Sequence, residues 1–370
     1  MNRQFPCIEI DLAKIRHNAR EVMRRCQAAG IQVCGVIKGC CAMPQIVRVM
    51  KECGAAQLAS SRLEQIIRCR QAGIPGPYMM LRIPALSELA DVVRWCEWSL
   101  ESELVTLDAL EAECRQQDRI HHVILMVDLG DLREGFWDRE EFLAACLHVE
   151  RDLPHVILGG VGVNLGCYGS IQPTPEKMEA LCDIAHEVER AIGRKLEIVS
   201  GGSTTSFSLV HQGTMPPGIN HLRIGEAILL NNDLGVNWQL PGMEYLYQDA
   251  FVIRAQVIEA RAKPTYPDGQ IFIDSFGHQR TYADRGIRRR AILALGRADV
   301  NELETLIPRQ EGIQVLGGSS DHCIIDVEDC PRSIEVGDIV EFLCTYSTML
   351  YGTSREDVRY HFLHEQEALL

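Results

Sequence analysis

The sequence predicts a (β/α)8 barrel of the TIM type followed by a C-terminal β domain. Over residues 13–238, short apolar segments alternate with amphipathic helical patterns, which is typical of parallel strands joined by helices. Over residues 239–370, strand-like segments follow one another with turns between them and few helical patterns. A chain of 370 residues is long enough for both domains.

The barrel strands are predicted from short apolar runs, and the helices from apolar residues spaced three or four apart. Pro44 lies near the start of one helix, a position that proline favours. The predicted strands cover residues 33–37, 56–60, 78–83, 98–101, 123–128, 157–164, 196–200 and 220–224. The predicted helices cover residues 14–29, from 44 onward, 62–72, 87–96, 107–117, 140–152 and 175–192.

The predicted C-terminal domain is a compact barrel or sandwich. Its strand-like segments are residues 251–260, 270–275, 290–295, 313–316, 322–327 and 338–343. Residues 8–11 form an isolated strand pattern ahead of the first helix, so we assign residues 1–12 to a strand that pairs with the β domain.

Composition excludes several classes of function. The net charge is −14 and no basic face is evident, which argues against nucleic-acid binding. No apolar run approaches the ~20 residues that cross a bilayer, and the first residues lack a signal-peptide core. The fifteen cysteines are scattered and include no CxxC pair, so we expect reduced thiols in a cytoplasmic protein and no metal site.

Polar and cationic residues follow the predicted barrel strands, at the rim where such barrels carry their chemistry. They are Lys38, Ser60, Arg82, Asp128 with Arg133, Asn164, the loop 200–205 (SGGSTT) and Arg223. Backbone N–H groups and hydroxyls of the loop could hold a phosphate. An amine beside a phosphate site fits pyridoxal phosphate (PLP) attached to Lys38. A structural lysine paired with a carboxylate would fit this position as well.

The chain resembles the alanine racemase-like PLP enzymes of fold type III and, more narrowly, the alanine/ornithine racemase family. The resemblance spans nearly the whole chain in order. It is carried by IEIDLAKIRHNA (8–19), VIKG (36–39), MVDLGDLREGF (126–136), GVGVNLGCYG (160–169), VSGGS (199–203), HLRIGEAILL (221–230) and GGSSDHCIIDV (317–327).

This resemblance implies a PLP-dependent racemase that exchanges the Cα proton of an amino acid between two bases. Lys38 corresponds to the PLP lysine and one base, and Arg223 to the arginine at the pyridine nitrogen. Arg133 corresponds to the arginine near the phenolic oxygen. The implied cofactor contacts include Asn164 and the phosphate-binding residues Ser203, Thr204, Gly225 and Glu226. The family also implies a homodimer with shared active sites and, in this branch, a basic substrate such as ornithine or lysine.

Four positions depart from alanine racemase itself. Cys41-Ala42 replaces a tyrosine that contacts the phosphate, Asn164 replaces a histidine that stacks on the cofactor, and Met126 replaces a lysine. The segment expected to carry a tyrosine base reads Asp274-Ser275-Phe276-Gly277, and phenylalanine cannot transfer a proton. We therefore expect the second base among Asp274, Asp321 and His322 of the partner subunit.

Three other functions remain open at this stage. A fold type III decarboxylase would place a carboxylate at the pyridine nitrogen, where we predict Arg223. A D-amino-acid aldolase would need a metal near the cofactor, to which Asp321 and His322 could contribute, although a dimer-interface hydrogen bond also explains that pair. A non-catalytic PLP carrier would be a barrel without the second domain.

Overall fold

The structure, a computed structural model, describes residues 5–277 and 279–365. Its strands are β1 (Cys7–Asp11), β2 (Gln32–Val36), β3 (Gln57–Ser60), β4 (Tyr78–Met80), β5 (Trp98–Glu101), β6 (His121–Met126), β7 (Val156–Gly162), β8 (Ile198–Ser200), β9 (His221–Ile224), β10 (Phe251–Pro264), β11 (Ile287–Leu293), β12 (Ile307–Pro308), β13 (Gln314–Gly318), β14 (Cys323–Asp326), β15 (Ile339–Leu343) and β16 (Arg359–Leu363).

The α-helices are α1 (Leu12–Ala28), α2 (Pro44–Glu52), α3 (Leu63–Gln71), α4 (Leu89–Trp95), α5 (Leu104–Gln117), α6 (Arg139–Asp152), α7 (Pro175–Ile192), α8 (Phe207–Gln212), α9 (Glu226–Leu229), α10 (Arg297–Val300) and α11 (Tyr346–Gly352). None of the helices in the described ranges is long and apolar enough to span a lipid bilayer.

Strands β2 to β9 form a closed parallel barrel, in which β9 pairs with β2. Together with the C-terminal sheet this confirms the predicted fold class, and each predicted barrel strand overlaps an observed one. Side chains alternate between the bore and the surrounding helices. In the bore, Trp98 lies so close to Gly159 that a Cβ atom at position 159 would be 2.4 Å from the indole ring. The barrel is therefore filled by side chains below its rim.

The chain divides into two compact units: Lys14–Tyr247, and Met1–Ala13 with Gln248–Leu370. The barrel unit thus continues past the predicted boundary at residue 238. The reason is a set of hydrogen bonds to Asn18 on α1, which is fully buried. Its side chain donates to the Tyr247 carbonyl over 2.9 Å and accepts from the Tyr247 amide over 2.8 Å. These bonds fix the segment that ends at Tyr247 against the barrel's own first helix.

The second unit is built on one branched sheet with the strand order β12-β15-β10-β11-β14-β13. The first half of β10 pairs with β1 and β15, and its second half pairs with β11 after a register shift between Val257 and Glu259. Strand β1 also pairs in parallel with β16. Residues 1–4, 278 and 366–370 of the predicted β domain lie outside the described residues.

The predicted strand at residues 270–275 is wrong, because that segment has no regular secondary structure. Phe272 and Ile273 are 75% and 53% exposed, so the apolar run has no core to face. Asp274 instead forms a local turn, accepting from the Phe276 amide over 2.9 Å and from Arg280 Nε over 2.9 Å. This local bonding competes successfully with strand pairing.

Candidate active site

Lys38 lies in the turn that follows β2, at the carboxyl end of the barrel. The Cys41 amide donates to the Lys38 carbonyl over 3.2 Å, which closes the turn. Cys41 and Ala42 then adopt left-handed backbone conformations, with φ of 48° and 50°. Two successive non-glycine residues in this region are uncommon, and such strain concentrates at functional sites. The proline at the start of α2 directs the chain into a helix immediately afterwards.

The half-buried amine of Lys38 lies near two arginines, a glutamate and a cysteine. Burial lowers the pKa of Lys38, and the positive charges of Arg133 and Arg223 lower it further, whereas Cys167 and Glu134 act in the opposite direction. A lysine whose pKa is lowered carries more free amine at neutral pH. Free amine is the form that attacks a carbonyl or accepts a proton.

Arg133 is carried by the loop after β6. Val127 and Phe136 form a β-bridge at the base of this loop, and a Cβ at Gly135 would lie 2.6 Å from the Asp128 amide, so the closure requires glycine. Arg133 forms an ion pair with Glu134 through two guanidinium nitrogens. When the side-chain amide of Asn164 is oriented with its oxygen toward Arg133, that oxygen accepts a hydrogen bond from Arg133 Nη2 over 2.7 Å. Asn164 therefore fixes the arginine.

The loop after β7 is tied to the loop after β6 by the buried carboxylate of Asp131. This carboxylate accepts from the amides of Cys167 and Tyr168 over 3.2 and 3.0 Å. The thiol of the exposed residue Cys167 is close enough to Lys38 to influence the pKa of its amine. Two separate loops are therefore held at the same rim, next to Lys38.

Arg223 lies on β9 and is only 4% exposed. Its guanidinium donates through Nη1 to Ser200 Oγ and through Nη2 to the Val163 carbonyl, the latter over 2.9 Å. Burial lowers the pKa of Arg223, but a guanidinium still keeps its charge at neutral pH. The site therefore contains a fixed cation that can donate hydrogen bonds but cannot act as an acid.

The loop after β8 has the chemistry of an anion-binding site. Its backbone turns at Gly202, where φ is 112°, a conformation that favours glycine. The Thr205 hydroxyl donates to the Leu165 carbonyl over 2.9 Å, and Thr204 Oγ1 accepts from the Ala227 amide over 3.3 Å. Ser206 Oγ is buried and has no hydrogen-bond partner in the structure. A buried hydroxyl without a partner suggests a polar ligand at this loop.

Gly225 and Glu226 lie at the start of α9, beside the loop after β8. A Cβ at Gly225 would lie 2.6 Å from the Val36 carbonyl, so only glycine allows this approach to β2. The Glu226 side chain turns back to its own segment, where Oε1 accepts from the amides of Asn232 and Asp233. Burial and the nearby Asp233 raise its pKa to about 8. Only the backbone of Glu226 is suited to an anion.

These barrel residues fit the PLP that the sequence resemblance implies. Lys38 offers an amine with a lowered pKa, and Ser203, Thr204 and Ser206 offer hydroxyls next to Gly202. Arg133 and Arg223 supply positive charge for a phosphorylated, phenolic cofactor. The buried Ser206 hydroxyl has no hydrogen-bond partner among the described residues, and this observation most favours a phosphate at the loop.

The predicted second bases belong to the other compact unit. Asp274 is paired with Arg280, as described above. Asp321 and His322 are exposed, and each contacts a serine: Ser320 Oγ donates to Asp321 Oδ2 over 2.6 Å, and Ser319 Oγ lies 3.4 Å from His322 Nδ1. Within the described ranges there is no group of three or more histidine, cysteine or acidic side chains placed to hold a metal ion.

Sequence reasoning missed several residues at this site. Glu134 and Cys167 lie in the motifs MVDLGDLREGF and GVGVNLGCYG, but residue type alone does not reveal their proximity to Lys38. Asp131 and Ser206 look like ordinary loop residues until their burial is known. Gln57 and His221 were read only as strand residues, although both lie in the bore below Arg223.

Comparisons with known proteins agree with this arrangement. The family model for the alanine racemase N-terminal domain matches residues 10–233. An ornithine racemase from Acetoanaerobium sticklandii is 37% identical over 97% of this chain and 100% of its own length. A lysine racemase from Thermotoga maritima is 39% identical over 94% of this chain and 95% of its own.

Solved structures share the fold at low sequence identity. An alanine racemase from Streptomyces lavendulae superposes with a TM-score of 0.73 at 18% identity, covering 98% of each chain. A D-threonine aldolase from Filomicrobium marinum superposes with a TM-score of 0.74 at 14% identity, covering 96% of this chain and 90% of that chain. Because enzymes named for different reactions share this fold, the fold alone does not identify the reaction.

Proposed function

The chain belongs to the alanine racemase family, and from that premise we propose that it racemises a basic amino acid, ornithine or lysine, by two-base proton transfer with PLP as cofactor. The observation that carries the proposal is the position of Lys38 at the barrel rim, with a pKa lowered by burial and by two arginines. The full-length similarity to an ornithine racemase and a lysine racemase supports the substrate class.

Lys38 serves as the cofactor lysine and as the base on one face of the substrate. When bound, PLP withdraws electrons from the bond between Cα and its hydrogen. The Lys38 amine takes this hydrogen as a proton, and a second group returns a proton to the opposite face. In the reverse direction the two groups exchange roles, so no proton is consumed overall.

The two arginines orient the reacting groups. Arg223 would donate a hydrogen bond to the pyridine nitrogen of PLP and, as a guanidinium, would not supply a proton there, which would limit competing transamination. Asn164 and Glu134 fix Arg133, and its guanidinium would bind the phenolic oxygen of PLP and the substrate carboxylate. The Ser203–Ser206 loop and the backbone at Gly225 and Glu226 would bind the phosphate of PLP.

We propose that the second base comes from the β unit of a partner subunit in a homodimer. Of the three candidates, Asp274 is committed to Arg280, whereas Asp321 and His322 are exposed. His322 is the best of these, because histidine is the side chain that most often serves as a general acid or base. The β unit also exposes large apolar side chains, which supports an association surface: Tyr266, Phe272, Ile273, Phe276, Tyr282 and Ile287.

Replacing His322 with asparagine should make hydrogen exchange asymmetric. Loss of one base blocks removal of the Cα proton from one enantiomer, while Lys38 still exchanges the proton of the other. The measurement is deuterium incorporation from D2O into each enantiomer, with Asp321→Asn and Asp274→Asn as parallel variants. Equal losses for both enantiomers in all three variants would remove the β unit as the source of the base.

Mixing variants tests whether the site is shared. If each site combines Lys38 of one subunit with His322 of the other, then a mixed dimer of Lys38→Ala and His322→Asn subunits contains one intact site. Equal mixing after subunit exchange should then restore about a quarter of the wild-type activity. A mixture that stays inactive, although dimers have exchanged, would contradict shared sites.

The alternative functions receive less support. A decarboxylase would need a carboxylate in the place of Arg223, and the nearest acidic residue on that strand end, Glu226, bonds back to its own segment. The aldolase likeness rests on fold alone, at 14% identity. A non-catalytic carrier has no use for a second unit of more than a hundred residues.

The proposed function is tested by incubating the purified protein and PLP with a panel of L-amino acids, followed by chiral chromatography. We expect D-ornithine or D-lysine to form fastest. Turnover confined to alanine or serine would overturn the basic-substrate proposal. Release of carbon dioxide or an aldehyde would move the enzyme to another reaction class.

A reducing compartment such as the cytoplasm suits this protein. All fifteen cysteines lie in the described part of the chain, and none of them is paired in a disulfide there. Most of them are buried in one of the two units, where they pack as small apolar side chains.

A further inference from the structure

A chain of polar side chains lies in the bore of the barrel, directly below Arg223. Gln57 on β3, Ser200 on β8, and His221 and Arg223 on β9 are each at most 6% exposed. His221 Nε2 lies 3.2 Å from Gln57 Oε1, and His221 Nδ1 lies 2.9 Å from Ser200 Oγ. Ser200 Oγ in turn contacts Arg223 Nη1. The four side chains form one continuous hydrogen-bonded path.

The direction of each hydrogen bond follows from Arg223. A guanidinium can only donate, so Ser200 Oγ accepts from it and directs its own hydrogen to His221 Nδ1. His221 must then carry its proton on Nε2, which donates to the Gln57 carbonyl oxygen. Burial lowers the pKa of His221 to about 3, and the charge of Arg223 acts in the same direction, so the ring stays neutral.

We propose that His221 is a positioning residue that fixes the orientation of Arg223 through Ser200. The Val163 carbonyl, just after the end of β7, accepts from the other end of the guanidinium, so Arg223 is held from β8 and from the segment that follows β7. Without His221, the Ser200 hydroxyl would lose its acceptor and could turn away from the arginine. Arg223 would then lose the brace that directs its remaining N–H groups toward the cofactor. The inference rests on the proposed function, in which Arg223 contacts the pyridine nitrogen.

The barrel contains a matched histidine that does not reach the site. His121 is the first residue of β6, as His221 is of β9, and it is fully buried. Its Nε2 lies 3.0 Å from Ser99 Oγ, which donates to Glu101 over 2.7 Å. Burial likewise lowers the pKa of His121 to about 3. A variant of His121 therefore measures how much thermal stability is lost when a buried histidine–serine hydrogen bond is removed away from the site.

The test compares His221→Leu with His121→Leu in PLP dissociation constant, absorption spectrum of the bound cofactor and thermal midpoint. We expect both variants to lose thermal stability. Only His221→Leu should weaken PLP binding, by roughly 10- to 100-fold, as when a residue that orients a ligand is removed. It should also shift the spectrum, and His221→Gln should restore part of both effects. Ser200→Ala breaks the same path at another point and should reproduce the shift if His221→Leu does not fold.

The imidazole nitrogens supply a readout that needs no cofactor. Nitrogen NMR of the wild-type apoprotein should show His221 neutral and protonated on Nε2, and Ser200→Ala should change the Nδ1 signal. One contrary result is that the wild-type protein binds PLP normally while His221→Leu and Ser200→Ala leave the cofactor spectrum and the PLP affinity unchanged. That result would overturn the role of His221 and leave the proposed function intact. Failure of the wild-type protein to bind PLP would overturn the proposed function and this inference together.

Discussion

Replacing Lys38 with alanine should abolish racemisation, with kcat falling by roughly 10⁴-fold or more, because one residue supplies both the cofactor attachment and a base. The wild-type protein should absorb visible light with PLP bound, and borohydride should attach the cofactor permanently to the peptide that contains Lys38. The Lys38→Ala protein should show neither property. Chiral chromatography of the products and mass spectrometry of the peptides measure the two effects.

Lys51→Ala is the matched control for this experiment. Burial also lowers the pKa of Lys51, and its amine donates to the Ala55 carbonyl over 3.2 Å, but it lies on α2 and is not one of the residues proposed to bind the cofactor. We expect its activity and cofactor content to stay close to wild type. Racemisation by Lys38→Ala at the wild-type rate would disprove the role of this lysine.

Replacing Arg223 with glutamate should change the reaction as well as its rate. We expect racemisation to fall roughly 10²- to 10³-fold, the size of effect seen when a fixed donor at a reacting centre is lost. Burial would raise the pKa of the new carboxyl, which could then give a proton to the pyridine nitrogen, as a guanidinium cannot. The fraction of turnovers that end in transamination should therefore rise. The ratio of keto acid to D-amino acid formed measures this fraction.

Arg223→Lys separates charge from geometry at this position. Lysine keeps the positive charge, but its single ammonium cannot reproduce the planar fork that reaches both Ser200 and Val163. We expect an intermediate loss of rate without the increase in transamination. A glutamate variant with the wild-type ratio of racemisation to transamination would contradict the proposed role of Arg223.

The barrel could be predicted from sequence because its strands and helices differ in period. The apolar runs of the first 238 residues are short, six of the eight are followed by a predicted helix, and all eight predicted segments overlap β2 to β9. The segment at 270–275 misled the prediction because its apolar residues resemble a buried strand. Whether such a segment becomes a buried strand or an exposed loop depends on its tertiary contacts. The periodicity of the sequence carries no information about those contacts.

The rim residues were accessible to sequence reasoning because parallel strands all end on one side of a barrel. That rule brings Lys38, Arg133, Asn164 and Arg223 to the same rim. It says nothing about pairs such as Gln57 and His221, which are 164 residues apart and meet across the bore. Nor does it reveal that Asp131 is a buried anchor for the loop of Cys167. Such contacts depend on barrel closure and loop geometry.

The pairing of β1 has a consequence for synthesis on the ribosome. Cys7 pairs with Arg254 and with Arg359, so roughly 250 and 350 further residues must be made before the two partner strands exist. At the usual 5–20 residues per second, that delay is roughly 10 to 70 s. During this time β1 is an unpaired strand on a nascent chain. Other ribosomes on the same mRNA carry nascent chains with the same unpaired strand, and unpaired strands can associate with one another. Glu9 and Asp11 place negative charge on that strand, so identical nascent strands repel one another until β10 and β16 have been translated.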